Sequence, residues 1–387
     1  MKIVFAGAGS GGHFYPIIAV AEAIHEVVTE RRLVAPQLFY LAPHPFDEEA
    51  LFENRIIFQR VRAGKMRRYF SIQNFLDIFV TLWGFVTAFV LLVQLYPDVV
   101  FSKGGYASVP VVLAAWILRI PIIIHESDAK PGRANLFAAP FAYRIGVAFE
   151  SAANAFPQKV QGKIARVGIP VRREVARVER EGARELLQLD TAVPTVAIFG
   201  GSLGSARINE TVLSALPELV SFTNVIHQTG KDHFAGVEQT AKVALEGNAN
   251  ASRYHAFPYL NAESIRRVAG AANLIVSRAG STAITEISLW RIPAILIPIP
   301  EEVSHDQRTN AYAYAHTGAA VVIEEGNLSP HVLAAEIRRL MTDEAAYTAM
   351  STAAAAFTTA DAARIIADEI ASIGVSHEVE AETKEAV

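Results

Sequence analysis

A short apolar strand, a glycine-rich turn and a helix occur in that order at the start of each half of the chain. In the first half, residues 2–6 run into the glycines of 7–12, and a helical pattern of apolar residues follows. In the second half, residues 195–199 lead into the turn 200–205 and another helix. Glycines let the backbone approach a ligand closely, and the free N–H groups of a helix start favour an anion. The repeat therefore predicts two sheets that each present a ligand-binding edge.

Apolar strands alternate with helices along the rest of both halves. This pattern is typical of parallel sheets that are covered by helices on both faces. We therefore predict an α/β protein with two doubly wound, Rossmann-like domains whose ligand-binding edges face one central cleft. The predicted strands lie at about residues 2–6, 37–42, 97–101, 121–125, 144–148, 195–199, 223–228, 253–257, 273–277, 294–298 and 320–323.

Charge and cysteine content exclude several classes of function. A net charge of −4 gives no global reason to expect nucleic acid binding. The chain has no cysteine, which excludes disulfides, thiol nucleophiles and zinc–thiolate sites and fits a cytoplasmic protein. Because the first strand begins at residue 2, we expect no signal peptide.

The uncharged stretch 78–95 is more apolar than a soluble α/β protein needs. Its length is at the threshold for a transmembrane helix. A span, however, would separate the apolar run that follows it from the first strand, which belongs to the same predicted sheet. Arg67 and Arg68 before the stretch, with Phe79 and Trp83 inside it, favour contact with an anionic membrane surface. The alternatives are a core helix beside a solvated basic loop and a true span.

The first glycine-rich turn has two interpretations. Residues 7–12 satisfy the dinucleotide pattern G-x-G-x-x-G, which is a weak signal by itself. That interpretation predicts an acidic residue at the end of strand two, and residues 39–44 contain no carboxylate. The second interpretation is an active-site loop in which the helix N-terminus keeps His13 neutral and able to take a proton. A structural histidine is the alternative.

Polar residues also follow two later strands of the first half. The stretches 103–106 and 125–135 should lie at the same sheet edge as His13, because the carboxyl ends of parallel strands meet there. A ligand-contacting loop explains the charges of the second stretch better than a structural turn fixed by Pro131 and Gly132. The candidate acceptor or loop residues are Lys103, Gly104, Gly105, Tyr106, His125, Glu126 and Asn135.

Three turns of the second half carry related chemistry. The turn 200–205 offers another phosphate cradle, and 277–286 is a further strand–glycine–helix turn. Glu286 falls in the first turns of that helix, near enough to accept hydrogen bonds from a ribose diol. The polar cluster 305–311 follows an apolar strand. Several such loops on one sheet edge are more specific than any single glycine motif.

Taken together, these motifs resemble the MurG family in their order and spacing. Members of this family are the bacterial glycosyltransferases that add N-acetylglucosamine to lipid I, which makes lipid II for peptidoglycan. The resemblance covers about residues 1–370. The shared motifs are Gly11-Gly12-His13, Lys103-Gly104-Gly105-Tyr106, His125-Glu126, Gly200-Gly201-Ser202, Arg278-Ala279-Gly280, Thr285-Glu286, and Asp306-Gln307 with Asn310-Ala311.

The resemblance implies a GT-B fold with the acceptor in the N-terminal domain and the UDP-sugar mainly in the C-terminal one. The expected domains are 1–167 and 168–345, followed by a helix at 346–373 that returns to the first domain. We expect the acidic tail 374–387 to be disordered. The implied location is peripheral, at the cytoplasmic face of the cell membrane. The implied partners are UDP-GlcNAc, lipid I, the anionic inner leaflet and, as candidates, cell-wall synthesis proteins.

The family's site implies roles for individual residues. His13 is the implied catalytic base. The implied UDP-GlcNAc contacts are Ser10, Gly11, Gly12, Asp128, Arg172, Ser202, Leu260, Ser281, Thr282, Ala283, Ile284, Thr285, Glu286 and Gln307. Many members have Gln-Asn where this chain has Ser127-Asp128, Asn in place of Ile169 and Gln in place of Leu203. These departures concern the contacts to the sugar N-acetyl and hydroxyl groups.

The reaction implied is an inverting transfer of GlcNAc from UDP to the 4-hydroxyl of lipid I. His13 would accept the proton, while Arg172 and helix N-termini would stabilise the departing UDP without a metal or other cofactor. Three alternatives remain: a UDP-GlcNAc 2-epimerase of the same fold, a transferase acting on another lipid, and a non-catalytic membrane-docked paralogue that binds UDP-sugar or lipid.

Overall fold

The computed structural model describes residues 1–7, 11–65, 72–201, 203–303, 307–358 and 361–385, with the backbone alone for 72, 74, 76 and 376–385. The chain divides into two compact units, each built around a parallel β-sheet. The first unit comprises Met1–Arg172 with Ala360–Val387, and the second comprises Arg173–Thr359. The predicted α/β class and the two Rossmann-like sheets are confirmed.

The first unit contains a seven-stranded sheet in the order β3-β2-β1-β4-β5-β6-β7. Strand order reverses between β1 and β4, which is the point where doubly wound sheets bind ligands. Its strands are β1 (Lys2–Ala6), β2 (Gln37–Ala42), β3 (Ile56–Arg60), β4 (Val99–Ser102), β5 (Ile122–Glu126), β6 (Arg144–Val147) and β7 (Ile164–Arg166). The sequence predicts neither β3 nor β7. Both lie at sheet edges and are only partly buried, so they lack a continuous apolar run.

The second unit contains a six-stranded sheet in the order β10-β9-β8-β11-β12-β13. Here the order reverses between β8 and β11, so the two units share one topology. The strands are β8 (Thr195–Phe199), β9 (Asn224–Gln228), β10 (Tyr254–Phe257), β11 (Leu274–Ser277), β12 (Ala294–Leu296) and β13 (Ala320–Val322). Each lies within a predicted strand.

Helices connect the strands and cover both sheets. They are α1 (Gly11–Glu30), α2 (Glu48–Glu53), α3 (Ile72–Leu95), α4 (Ser108–Ile117), α5 (Arg133–Ala138), α6 (Glu150–Ala155), α7 (Arg173–Ala176), α8 (Ala183–Leu186), α9 (Ala206–Leu219), α10 (Phe234–Ala244), α11 (Ala262–Ala271), α12 (Ser281–Trp290), α13 (Gln307–Ala315), α14 (Pro330–Thr342), α15 (Glu344–Phe357) and α16 (Ala362–Glu385). Short 3₁₀ helices lie at Ala139–Phe141, Gln158–Lys163, Ala251–Arg253 and Glu325–Asn327.

The last helix, α16, belongs to the first unit and packs against α1. Ile366 and Ile370 are buried in the same core as β1, and the Arg364 guanidinium lies 2.6 Å from the carboxylate of Glu30. The returning helix starts at Ala362 rather than at 346, because α15 stays in the second unit. There, Ala354 accepts a 2.7 Å hydrogen bond from the Ser288 hydroxyl.

Two other boundaries differ from the prediction. The first unit extends to Arg172 rather than to 167, and Val167 is part of its core. The backbone of α16 continues as a helix to Glu385, across most of the tail expected to be disordered. Glutamate and alanine are frequent there, and these residues have high helix propensity.

Helix α3 carries an exposed apolar surface. Only 17% of the window Asp77–Leu95 is buried, although the helix is long and apolar enough to cross a membrane by length and composition alone. A core helix would be mostly buried, so the structure argues against that alternative. The strands on either side of α3, β3 and β4, belong to one sheet, which also argues against a span.

Candidate active site

The carboxyl ends of β1, β4 and β5 bring the predicted loops of the first unit together. Strand β4 pairs in parallel with both β1 and β5. The backbone N–H of Lys103 donates a 2.8 Å hydrogen bond to the carbonyl of Ala6, which continues the pairing beyond the strands. Gly7 is required there, since a Cβ on it would lie 3.0 Å from the Cβ of Lys103. The structure thus places 103–106 and 125–135 beside the start of α1.

His13 lies in the first turn of α1 and is partly buried. The pKa of its imidazole is lowered from 6.5 to about 4, and burial is the largest cause. The ammonium of Lys103 contributes to the lowering, and the carboxylate of Asp128 opposes it. His13 is therefore neutral at pH 7, as the sequence predicts. The main cause is loss of water, whereas the prediction relied on the helix N-terminus.

Lys103 is almost completely buried, with 2% of its surface exposed. Its ammonium donates a hydrogen bond to the hydroxyl of Ser127. Burial lowers the pKa of Lys103 to about 8, while Glu126 and Asp128 act in the opposite direction. The amine therefore remains mostly protonated at pH 7, which makes it a buried positive charge next to His13.

Glu126 is the centre of the loop that follows β5. Its carboxylate accepts three hydrogen bonds of 2.9 Å, from the backbone N–H groups of Asp128 and Gly132 and from the side-chain amide of Asn135. Burial, and then the nearby Asp128, raise the pKa of Glu126, while these hydrogen bonds lower it. Gly104 has φ +80°, and a Cβ on it would press against Asn135. Glu126, Asn135 and Gly104 therefore hold the two loops to each other.

His125 also points into the protein. It is fully buried, and its Nε2 lies 2.7 Å from the carbonyl oxygen of Gly168, so this nitrogen carries the proton. Burial holds the pKa of His125 well below its ordinary value. Tyr106 and Gly105, by contrast, are partly exposed at the edge. In the loop 103–106, the surface available to an acceptor is that of Gly105 and Tyr106.

Arg172 is the last residue of the first unit and lies beside the start of α1. Its guanidinium stacks 4.2 Å from the ring centroid of Tyr15. The Tyr15 hydroxyl is 3.3 Å from a carboxylate oxygen of Asp47. A cation that is held on an aromatic ring keeps its N–H groups available, which suits the expected contact with a diphosphate.

In the second unit, the side chain of Gln228 joins two candidate donor loops. Its amide nitrogen donates to the carbonyl of Gly201 at 3.1 Å, and its oxygen accepts from the N–H of Leu260 at 3.1 Å. Gln228 is not among the site residues that the sequence motifs predict. The signal available was a polar residue that ends a predicted strand immediately before Thr229-Gly230.

Arg278 joins three further loops of the same edge. Its guanidinium donates to the Ser205 hydroxyl at 2.6 Å and to the carbonyl of Ile297 at 3.2 Å, and it forms an ion pair with Glu325 at 2.5 Å. Ser205 in turn caps α9 through the N–H of Ile208. The guanidinium thus fixes the start of α9 relative to the ends of β11 and β12.

The start of α12 is where the sequence predicts contacts to the nucleotide. Gly280 is the N-cap and makes no side-chain capping bond, so the first N–H groups of the helix have no such partner. The hydroxyl of Thr282 is buried and has no hydrogen-bond partner. Ala283 and Glu286 are partly exposed, whereas Ser281, Ile284 and Thr285 face the protein interior. The last three contribute backbone or packing rather than exposed side chains.

Gln307 begins α13 and also bridges loops. Its side-chain oxygen accepts from the N–H of Ala279 at 3.3 Å and from the N–H of Ile299 at 3.2 Å. Neither of these two bonds uses the amide nitrogen, and the contact of Gln307 with a sugar stays a prediction. Ser10, Ser202, Arg67 and Arg68 lie outside the residues that the structure describes. Within the described ranges, no group of three or more His, Asp or Glu side chains is arranged to hold a metal ion.

Known proteins match this chain over nearly its whole length. The glycosyltransferase family 28 N-terminal domain matches residues 3–147, and the family 28 C-terminal domain matches residues 195–366. A relative from Bacillus anthracis, named UDP-N-acetylglucosamine–N-acetylmuramyl-(pentapeptide) pyrophosphoryl-undecaprenol N-acetylglucosamine transferase 2, is 36% identical over 89% of this chain and 93% of its own. A transferase with the same name, without the numeral, from Legionella pneumophila strain Paris is 37% identical over 88% of this chain and 89% of its own.

Solved structures show the same fold. The crystal structure of Acinetobacter baumannii MurG has a TM-score of 0.73 at 25% identity and covers 96% of this chain and 99% of that one. A UDP-GlcNAc 2-epimerase from Neisseria meningitidis has a TM-score of 0.64 at 14% identity and covers 96% and 100%. At that identity the epimerase shows the shared fold alone.

Two Rossmann-like units, one with a neutral histidine at its sheet edge and one with an open helix N-terminus, are the two halves of a GT-B glycosyltransferase. The chain belongs to glycosyltransferase family 28. The resemblance to the MurG family is confirmed.

Proposed function

We propose that this protein transfers N-acetylglucosamine from UDP-GlcNAc to the 4-hydroxyl of lipid I, with inversion at C1, and so forms lipid II for peptidoglycan synthesis. The observation that carries the proposal is the match, over 88–89% of the chain, to relatives named for this transfer. The geometry of the first sheet edge supplies the chemistry that the transfer needs.

In the first unit, His13 is the proposed general base. The acceptor hydroxyl loses its proton as its oxygen bonds to C1, and a neutral imidazole nearby can accept that proton. The burial of His13 keeps it in the accepting form at physiological pH. Gly105 and Tyr106 are the proposed acceptor contacts because they are the accessible members of their loop.

The departing UDP gains negative charge as the bond to C1 breaks. We propose that Arg172 and the N–H groups at the start of α12 stabilise this charge, with no obligatory metal or other cofactor. The backbone of Leu260 is proposed to contact the uracil, Glu286 the ribose, and the amide nitrogen of Gln307 the sugar. Gln228 and Arg278 would hold the loops that carry these groups.

The exposed face of α3 is the proposed membrane contact. Phe79 and Trp83 are 55% and 62% exposed, and α4, which packs against α3, adds Trp116 and Ile117 at 49% and 50%. Aromatic and aliphatic side chains on one helical surface suit the boundary between lipid headgroups and acyl chains. Arg67 and Arg68 are proposed to add attraction to anionic lipid at the cytoplasmic face of the cell membrane.

The transfer is tested with purified protein, UDP-GlcNAc labelled in the sugar, and lipid I. Label entering the lipid phase in proportion to lipid I supports the proposal. Conversion of UDP-GlcNAc alone into UDP-ManNAc would instead identify an epimerase. Label entering diacylglycerol but not lipid I would identify a transferase with another acceptor. Binding of UDP-GlcNAc without any turnover would leave a non-catalytic paralogue.

Membrane contact is tested by liposome flotation. The wild type should float with vesicles of anionic phospholipid and less with neutral ones, and Arg67→Glu/Arg68→Glu should weaken flotation. Trp83→Ser should weaken it on both kinds of vesicle. Flotation that ignores both lipid charge and these substitutions would contradict the proposed contact.

A further inference from the structure

The buried ammonium of Lys103 has no part in the proton transfer proposed above. Its side chain is 2% exposed, and the pairing of its backbone with Ala6 fixes its position at the end of β4. Moving an unpaired ammonium out of water is costly, so a buried lysine persists only where neighbouring groups compensate for its charge. The identity of those neighbours indicates what the charge does.

The neighbours of Lys103 come from two elements. His13 lies on α1, and His125, Glu126 and Asp128 lie at and just after the end of β5. The direct hydrogen bond goes to the hydroxyl of Ser127, which stands between the two carboxylates in the sequence. A second cation, Arg172, lies on the Tyr15 side of α1. The ammonium of Lys103 and the carboxylate of Asp128 therefore both act on His13, and Glu126 acts on Lys103.

Glu126 and Asp128 differ in how they are held. Glu126 is anchored by three donors of its own loop. The backbone N–H of Asp128 is one of those donors, and Ser127 beside it is bonded to Lys103. Lys103 and Glu126 together fix the backbone that carries Asp128, whose carboxylate is near enough to His13 to oppose the effect of burial on it.

We propose that Lys103 is a positioning residue for His13: through Ser127 it anchors the loop that carries Asp128, and its buried charge offsets the carboxylate that this loop brings near the imidazole. This inference rests on the proposed function of His13 as the base. A role as a direct ligand of the substrate's diphosphate is disfavoured because Lys103 is buried and its ammonium already donates to Ser127.

Loss of the Lys103 charge should raise the pKa of His13. Lys103 lowers the pKa of His13, and the carboxylate of Asp128 raises it. Without the ammonium, the carboxylate of Asp128 would favour the imidazolium with no opposing charge from Lys103, and a charge removed at close range shifts a pKa by about 1–3 units. Because the base must be unprotonated, the acidic limb of the kcat/KM profile should move to higher pH.

Four variants separate charge from anchoring. Lys103→Met removes both the charge and the hydrogen bond, and Lys103→Gln removes the charge but keeps a donor for Ser127. Ser127→Ala keeps the charge and removes the bond. Lys103→Met/Asp128→Asn removes one charge of each sign. Folding of each variant is checked by thermal unfolding, and Lys103→Gln replaces Lys103→Met if the latter fails to fold.

Two measurements are made on these variants: the pH dependence of kcat/KM with lipid I, and the NMR titration of the His13 ring, which is assigned by its absence in His13→Gln. We expect the limb and the His13 pKa to rise by about 1–3 units in both single Lys103 variants. In Ser127→Ala the acidic limb and the His13 pKa should stay close to the wild-type values. In Lys103→Met/Asp128→Asn both should return toward the wild-type values.

The outcomes that overturn the inference are also distinct. An unchanged His13 titration in folded Lys103→Gln would exclude the charge effect. An equal loss of activity at every pH would indicate a structural lysine, and a raised KM for lipid I with an unchanged pH profile would indicate a phosphate ligand. If no transfer to lipid I occurs, the proposed function fails, while the NMR titration still reports on Lys103.

Discussion

The two sheets have the same topology, yet their ligand-binding edges are held together by different chemistry. At the edge of the first sheet, Lys103 and Glu126 are buried charges with 2% and 4% of their surface exposed. At the edge of the second sheet, the loops are joined by the carboxamides of Gln228 and Gln307 and by the guanidinium of Arg278. Most of the latter contacts end on backbone groups.

This difference follows from what each edge has to do. Proton transfer needs a titratable group whose pKa is set by its surroundings, and buried charges set it strongly because little water screens them. Nucleotide recognition needs backbone N–H groups in fixed positions, which neutral side chains can hold without attracting or repelling the anion. Under the proposed function, the first sheet edge would carry the proton transfer and the second would carry most of the donor contacts.

The substitution with the largest expected effect should impair the first sheet edge alone. His13→Ala should lower kcat about 10²–10⁴-fold, the usual contribution of a general base, and should leave UDP affinity nearly unchanged. Steady-state kinetics and calorimetric titration with UDP measure the two quantities. The exposed His44 provides a matched control, because His44→Ala should alter neither. Unchanged turnover in His13→Ala would remove this residue from the mechanism.

A substitution that strains the backbone of the second sheet edge should weaken binding at that edge alone. Gly204 has φ +81°, and a Cβ on it would overlap the carbonyl of Thr229, so Gly204→Ala must displace the turn after β8. Strain of about 1–3 kcal/mol should weaken UDP binding about 5- to 150-fold. Gly236→Ala is the control, since a Cβ on Gly236 meets nothing within 4 Å. Wild-type UDP affinity in Gly204→Ala would show that this turn does not hold the donor.

Loss of the hydrogen bonds by which the side chain of Gln228 joins two loops should have a smaller effect on donor binding. Gln228→Leu removes the bonds to Gly201 and Leu260, each worth about 1 kcal/mol, so the KM for UDP-GlcNAc should rise up to about 30-fold with little change in kcat. Gln161→Leu is matched to it, because Gln161 bridges two carbonyls of the first unit. This control should affect stability but not the donor KM. A fall in kcat alone would contradict a binding role for Gln228.

The sequence was sufficient to predict the positions of the buried strands and of the loops that follow them. Lys103 and His13 were expected at one edge because each follows a strand of a parallel sheet, and the structure places them there. The edge strand β3 was missed because only Ile56 is buried and the rest of this short strand is partly or fully exposed, without a continuous apolar run. Hydropathy also could not distinguish an exposed α3 from a buried one, since both have the same composition.

The bridging roles depended on tertiary register that no local pattern contains. Gln228 connects residues 27 positions earlier and 32 positions later in the chain. His125 and Glu126 are consecutive residues of β5 and both are buried, so their side chains point to opposite faces of the sheet, and the sequence does not show that both are covered. Loop polarity therefore indicated where the site lies, whereas the division between ligand contacts and internal supports required the three-dimensional structure.

The smallest expected effect concerns acid stability and compares one histidine in each unit. His227 is fully buried between Asn209 and Tyr254, and burial lowers its pKa to about 3, while that of His13 is lowered to about 4. Unfolded histidine titrates near 6.5, so below that pH the unfolded chain binds protons that the folded chain does not. Each group should therefore reduce stability by about 1.4 kcal/mol per pH unit as pH falls from 6.5 toward its folded pKa.

Because the two histidines lie in different units, their contributions can be separated. His227→Gln should lower the stability of the second sheet at pH 7 but make it less sensitive to acid, and should leave the first sheet unchanged. Hydrogen exchange of β9 and of α1 at pH 7.0 and 5.5, corrected for intrinsic rates, measures each unit. An equal change in the free energy of unfolding of both units would mean that they unfold together. The two sheet edges would then differ in their side chains but not in their stability.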